Sequence, residues 1–218
     1  MSNATFGHAQ QTLVLLGQQE LSGEEVNTLH SGYLSDLARA IKSNTLPARD
    51  VFQKLLGLLP ELKVWKTIRL GLHKTSDAYE SVLERGGTRT RIGNWARQIF
   101  HKISVSQTEI EVDLCVMSVA ELGFKKNTRY DAICARIVEI GGQLCPNEVG
   151  PALRDQYKDQ LDREYLVVAM EPLTDSDGRP GVFDVRRDAD GPWLGTYYGF
   201  PGGLFDPGFR FVFVLPRK

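Results

Sequence analysis

The sequence predicts an α+β protein. A helical N-terminal region over residues 1–62 precedes a mixed domain over residues 63–218, which ends in a mostly antiparallel sheet, a β-meander, covered by helices. Three observations predict this. The apolar period is mainly helical before Asp162 and strand-like after it. Two D-x-D-G sequences, Asp175-Ser176-Asp177-Gly178 and Asp188-Ala189-Asp190-Gly191, punctuate the C-terminal part as turns. The unbroken apolar run Tyr165 to Met170 reads as a strand that needs cover on both faces.

The elements follow in order. Ser22-Gly23-Glu24-Glu25 matches a capping box, ahead of helical spacing at Tyr33, Leu34, Leu37, Ala38 and Ile41 and again at Val51, Phe52, Leu55 and Leu56. Pro47 suits the first turn of that last helix. Val64 to Leu70 reads as a strand rich in β-branched residues. A helix from Ser76 to Arg85 and a second one are joined by Gly86-Gly87. The second carries the stripe Ile92, Trp95, Ala96, Ile99, Phe100 and Ile103. Glu109 to Val116 alternates strictly, which predicts a half-exposed strand with an acidic outer face. Thr128 to Asp131 resembles a capping box and opens a helix through Ile137, closed by Gly141-Gly142. Val182 to Arg186, Trp193 to Tyr198 and Phe209 to Leu215 are the closing strands.

Composition excludes several classes. The chain has 218 residues, 42% hydrophobic and 24% charged, with 26 Lys and Arg against 27 Asp and Glu. That is a globular balance, not a disordered, collagen-like or polybasic one. The N-terminal apolar run Leu13 to Leu16 is four residues long, so neither a signal peptide nor a membrane span is expected, and the location expected is cytoplasmic. Cys115, Cys134 and Cys145 have neither disulfide nor zinc spacing, and His8, His30, His73 and His101 have no ligand spacing, so no metal or cofactor is expected. Cys134 reads as a buried hydrophobe. Cys145-Pro146 opens an element, where a helix N-terminus lowers a thiol's pKa.

Three candidate sites emerge. Residues 63–105 hold nine Lys or Arg and three Asp or Glu, a local net charge of +6. Arg89, Arg91 and Arg97, on the helix pair at 75–103, are the candidate phosphate-binding residues of a nucleic-acid binder. Two prolines and a glycine break the stretch Cys145 to Gln160, with a helix starting near Pro151. It collects Glu148, Arg154 and Tyr157, and Glu171 follows the buried strand. These four form a candidate ligand-binding or acid/base cluster, with the alternative that Glu148 caps the helix and Arg154 pairs with Glu164 or Glu171. Trp193, Tyr197, Tyr198, Phe200, Phe205, Phe209, Phe211 and Phe213 read either as an aromatic-lined groove or as the core of a final hairpin.

The run Glu121-Leu122-Gly123-Phe124, then Gly142-Gln143-Leu144-Cys145-Pro146-Asn147-Glu148-Val149-Gly150-Pro151-Ala152-Leu153-Arg154 and Tyr157-Lys158-Asp159-Gln160, resembles a family of bacterial hypothetical proteins. Ala169-Met170-Glu171-Pro172, Trp193-Leu194 and Phe211-Val212-Phe213 fit the same pattern. The resemblance implies no activity and no catalytic residue. No Ser-His-Asp set, G-x-G-x-x-G or P-loop names a reaction. The reading is a non-enzymatic binding or interaction module with a protein or small-molecule partner. The alternatives are nucleic-acid binding through residues 75–103, or a hydrolase-like enzyme using Glu148, Arg154 and Tyr157.

Overall fold

The Ser22 capping box forms as its sequence requires. The Ser22 N–H donates to Glu25 Oε2 at 2.7 Å and the Glu25 N–H donates back to Ser22 Oγ at 3.3 Å, which starts α1 (Gly23–Thr28). The computed structural model describes residues 10–12, 14, 18–57, 59–85 and 89–217. The expected Gly86-Gly87 joint lies outside the described residues, as do Leu13 and residues 15–16 of the N-terminal apolar run. The chain divides into two units, Met1–Leu56 and Gly57–Lys218.

In the first unit a π-helical turn (Leu29–Tyr33), which includes Gly32 at φ 131°, leads into α2 (Leu34–Lys42), and α3 (Arg49–Leu55) follows. No residue of α1 or α2 is buried. Among the described residues, no helix is long and apolar enough to cross a membrane.

The second unit is α+β. Its main sheet runs β1 (Lys66–Leu70), β3 (Ile110–Ser118), β10 (Arg210–Leu215), β5 (Tyr165–Val168), β7 (Pro180–Asp188), β8 (Gly191–Tyr198), β2 (Arg91–Ile92), and β6 (Leu173–Thr174) pairs with β7. All pairs are antiparallel except β10 with β5 and β2 with β8. Both D-x-D-G sequences are turns. Asp175 Oδ1 accepts from the N–H groups of Asp177 and Arg179, each at 2.8 Å. Asp188 pairs with Gly191 across a two-residue hairpin loop, where Gly191 supplies a φ of 113°.

The antiparallel meander is β5, β7 and β8. The last strand does not extend it as a final hairpin with β8. β10 lies between β3 and β5, because Phe211, Val212 and Phe213 are fully buried on both faces and only an interior strand gives them that.

Helices cover the sheet. α7 (Val149–Gln156) packs on β1, β7 and β8, and α4 (Ser76–Arg85) packs on α7. Pro151 sits in α7's first turn rather than opening the helix, which costs nothing because that N–H has no helical acceptor. Gly150 brings α7 close to β7: a Cβ there would stand 2.6 Å from the Phe183 ring. Gly150→Ala is therefore expected to cost about 1–3 kcal/mol by chemical denaturation, as overpacking does.

Two helix starts differ from expectation. α5 is only Asn94–Phe100, since Ile92 is buried by pairing with Leu194 of β8, and Trp95 is 46% exposed. The long apolar stripe therefore joins a strand residue to a short helix. α6 (Tyr130–Glu139) has no side-chain cap, because Thr128 and Arg129 form β4 and pair with β9 (Leu204–Phe205). Its first N–H groups, of Tyr130 and Asp131, donate instead to the carbonyls of Gly203 and Pro201.

Candidate functional site

Glu148 is fully buried and does not cap α7. Its Oε1 accepts from the Gly71 N–H (2.6 Å) and the Tyr79 hydroxyl (2.7 Å), and its Oε2 accepts from the Ser106 N–H (2.8 Å). It thus ties the start of α7 to the end of β1, to α4 and to the loop before β3. Burial, and then the Glu148 carboxylate, push the Tyr79 phenol up.

Arg154, also buried, donates to the carbonyls of Tyr157 and Arg186 and to Gln160 Oε1, so it fastens the turn after α7 to β7. Burial lowers its guanidinium to about 10, which leaves it charged at neutral pH. The Tyr157 hydroxyl donates to Glu164 Oε2 (2.6 Å), and Arg210 reaches Glu164 Oε1 at 2.7 Å. Glu171 is exposed. Of the four residues singled out by sequence only Arg154 and Tyr157 meet, through the Tyr157 backbone carbonyl, while the Tyr157 hydroxyl joins Glu164, Glu148 holds other partners and Glu171 joins none of the other three. Neither the capping role for Glu148 nor an ion pair of Arg154 with Glu164 or Glu171 is observed; Glu164 pairs with Arg210 instead.

The basic set lines one cleft of about 900 Å³, where Arg89, Arg91 and Arg97 are joined by Arg187, Trp193, Glu84 and Asp190. Arg97 donates to both Glu80 and Glu84, and Arg91 donates to Asp190 Oδ2 at 2.8 Å. Two of the three candidate arginines, Arg91 and Arg97, are thereby paired with carboxylates. Arg89 is exposed, at a φ of 36°.

Cys145 is buried, its thiol lies 3.5 Å from the Val212 carbonyl, and burial pushes its pKa up, so it is not the activated thiol its position suggested. α7 begins at Val149, which leaves Cys145 bridged to Met170 rather than at a helix N-terminus. Burial raises Cys134 to about 11. Among the described residues no group of three or more His, Cys, Asp or Glu is placed to hold a metal ion.

The arrangement that sequence reasoning missed lies on the sheet face opposite α7. Paired residues in neighbouring strands point to the same side. One row across the sheet is Phe211, Val167, Asp184, Gly195; the next is Tyr165, Arg186, Trp193. Phe183 and Val185 point the other way, under α7. Asp184 is therefore a carboxylate in the middle of the sheet, and it is fully buried.

Gly195 makes room for it, since a Cβ there would stand 2.6 Å from Asp184 Oδ2. Tyr165, Tyr197 and Phe209 crowd one side, with ring centroids 5.3–6.3 Å apart. Arg186 lies over the rings of Tyr165 (5.8 Å) and Trp193 (5.1 Å), and its Nε is 3.8 Å from Asp184 Oδ1, beyond hydrogen-bond distance.

Among the described residues, five buried side-chain polar atoms have no protein hydrogen-bond partner. Four are here: both Asp184 oxygens, Arg186 Nε and Trp193 Nε1. Burial raises the Asp184 carboxyl to about 6, against the charge of Arg186 and the Tyr165 hydroxyl, which lies near the carboxylate without meeting hydrogen-bond geometry. Beside them opens a groove of about 570 Å³ lined by Tyr165, Arg186, Tyr197, Asp206, Gly208, Phe209 and Arg210. Of the crowded aromatics, Tyr197 and Phe209 line this groove, whereas Phe205, Phe211 and Phe213 are core. No protein-family model, curated protein or solved structure matches the chain.

Proposed function

We propose that the protein is a binding module whose ligand enters the Tyr165–Tyr197–Phe209 groove and meets Arg186 on its wall. The single observation that carries this is the cluster of four unpartnered polar atoms on one buried sheet face. Buried polar groups are normally hydrogen-bonded, and an isolated orphan costs about 1–3 kcal/mol. Unpartnered acceptors and donors held together beside an aromatic groove of small-ligand size fit a ligand pocket. The same residues offer no nucleophile with an adjacent base, which favours binding over catalysis. The hydrolase alternative is weakened because Glu148, Arg154 and Tyr157 spend their hydrogen bonds on the framework.

The test is a screen of small polar and aromatic compounds, with short oligonucleotides included, read by NMR. Binding is expected to move the resonances of Tyr165, Arg186, Tyr197 and Phe209, which line the groove. Hits that move only Arg89, Arg91 and Arg97, and that come from the oligonucleotides, would overturn the reading in favour of nucleic-acid binding. A screen in which nothing moves the Asp184 face would overturn it as well.

A further inference from the structure

We infer that the arginine cleft is a second ligand site, which takes a small phosphorylated compound through Arg89 and Arg187. The cleft shares no lining residue with the Tyr165–Tyr197–Phe209 groove, so the two sites stand or fall separately.

The four arginines of the cleft are not equivalent. Arg97, on α5, is held between Glu80 and Glu84 of α4, and Arg91, on β2, is held by Asp190 of the turn between β7 and β8. Arg89 and Arg187 line the same cleft, and among the described residues neither has a carboxylate partner. Arg89 holds a φ of 36°, a left-handed backbone that residues with a Cβ seldom adopt and that recurs at ligand clamps. Arg187 repels Arg154, which is buried and hydrogen-bonded to neutral oxygens only. Two guanidinium groups thus lie near each other at the end of β7, neither held by a carboxylate. An anion at Arg187 relieves that repulsion, and a concave wall concentrates the attraction.

The two free arginines select the ligand's charge. Each guanidinium offers a fork of N–H donors that matches a pair of anionic oxygens. A monocarboxylate has a single charge and two oxygens, which serves one fork. A phosphate monoester carries three acceptor oxygens and a charge of about −1.5 to −2 at neutral pH, which serves both.

The carboxylates select its size. Glu84 and Asp190 line the cleft too. A nucleic-acid strand running through it would carry successive phosphates past both of them, whereas one compact phosphate group needs only the two free arginines. The volume of about 900 Å³ leaves room for the rest of a small molecule around that group.

The test titrates pyrophosphate, inorganic phosphate and acetate into the full chain by calorimetry at low and moderate salt, with the arginine Nε–H resonances followed by NMR. Both phosphates are expected to bind about tenfold more tightly than acetate, to shift Arg89 and Arg187, and to weaken as salt screens the charges. Arg89→Gln and Arg187→Gln break no ion pair in the protein, so both should fold as the parent does. Each is expected to weaken pyrophosphate about tenfold, the effect of losing charge-assisted hydrogen bonds. Arg69→Gln removes an equal charge from β1, at the opposite edge of the sheet, and should leave the affinity unchanged. A short oligonucleotide without terminal phosphates is expected to bind more weakly than pyrophosphate at equal salt.

No saturable binding of pyrophosphate at millimolar concentration and low salt would overturn the inference. So would acetate binding as tightly as the phosphates, or undiminished pyrophosphate binding in Arg89→Gln and Arg187→Gln. An oligonucleotide that binds the cleft more tightly than pyrophosphate would overturn it in favour of a nucleic-acid interface. The groove reading is judged apart from these results, by whether Tyr165 and Tyr197 move in its own screen.

Discussion

Glu148→Ala is expected to leave the second unit barely folded. The substitution removes the common acceptor of three donors, the Gly71 and Ser106 N–H groups and the Tyr79 hydroxyl, at a position with no access to water. Hydrogen bonds to a charged group contribute about 1.5–3 kcal/mol each, and donors stranded in the interior add their own desolvation cost. A loss on the order of 4 kcal/mol or more follows, against a typical total stability of about 5–15 kcal/mol.

Urea denaturation followed by circular dichroism would read this as a large fall in midpoint. Glu148→Gln keeps the shape and one acceptor oxygen, and should fall in between, since its amide N–H₂ would face a donor. The comparison also separates the framework role from an acid/base role. A catalytic carboxylate can be truncated with little effect on folding, so a Glu148→Ala protein as stable as its parent would contradict the geometry described here.

The same residue shows what was legible in the sequence. Short-range chemistry read correctly: the Ser22 capping box, both D-x-D-G turns, the Ser76–Arg85 helix and the β3 strand all form where local pattern puts them. Features set by distant partners leave no local signature. Glu148 lies one residue before a helix and so looks like a cap, yet its partners are 77, 69 and 42 residues away. Ile92 fits a helical stripe, but the edge of β8 claims it as a strand residue. Phe211 and Phe213 look like hairpin core, and a crossover to the middle of the sheet gives them deeper burial.

The Asp184 face was hidden for a related reason. In Val182-Phe183-Asp184-Val185-Arg186, the alternation assigns Asp184 and Arg186 to an outer, solvated face, the ordinary reading of a half-buried strand. That face is instead roofed by Tyr165, Tyr197 and Phe209, which arrive from three other segments. The one local hint was Gly195, a glycine inside an otherwise well-formed strand sequence, which marks a close approach by something else. What approaches it is the Asp184 carboxylate.

Asp184→Asn is expected to stabilise the protein at neutral pH and to leave it unchanged near pH 4. Burial lifts the Asp184 carboxyl from the ordinary 3.8 to about 6 in the folded chain. Between these values the folded state holds a proton that the unfolded state has released. Stability from this group is therefore intact below about pH 4, declines as pH rises, and reaches its full loss above about pH 6. A difference of about two pH units corresponds to about 3 kcal/mol.

An asparagine, neutral throughout and nearly the same shape, avoids that loss. Its melting temperature should exceed the parent's at pH 7.5, with the two curves meeting near pH 4. A variant that melts lower than the parent at pH 7.5 would mean that the carboxylate is stabilised in the fold by partners stronger than Arg186 and Tyr165. The ionised carboxylate is costly because neither Arg186, 3.8 Å away, nor the Tyr165 hydroxyl meets it in hydrogen-bond geometry, so burial is only partly offset and a neutral side chain of the same shape removes the cost.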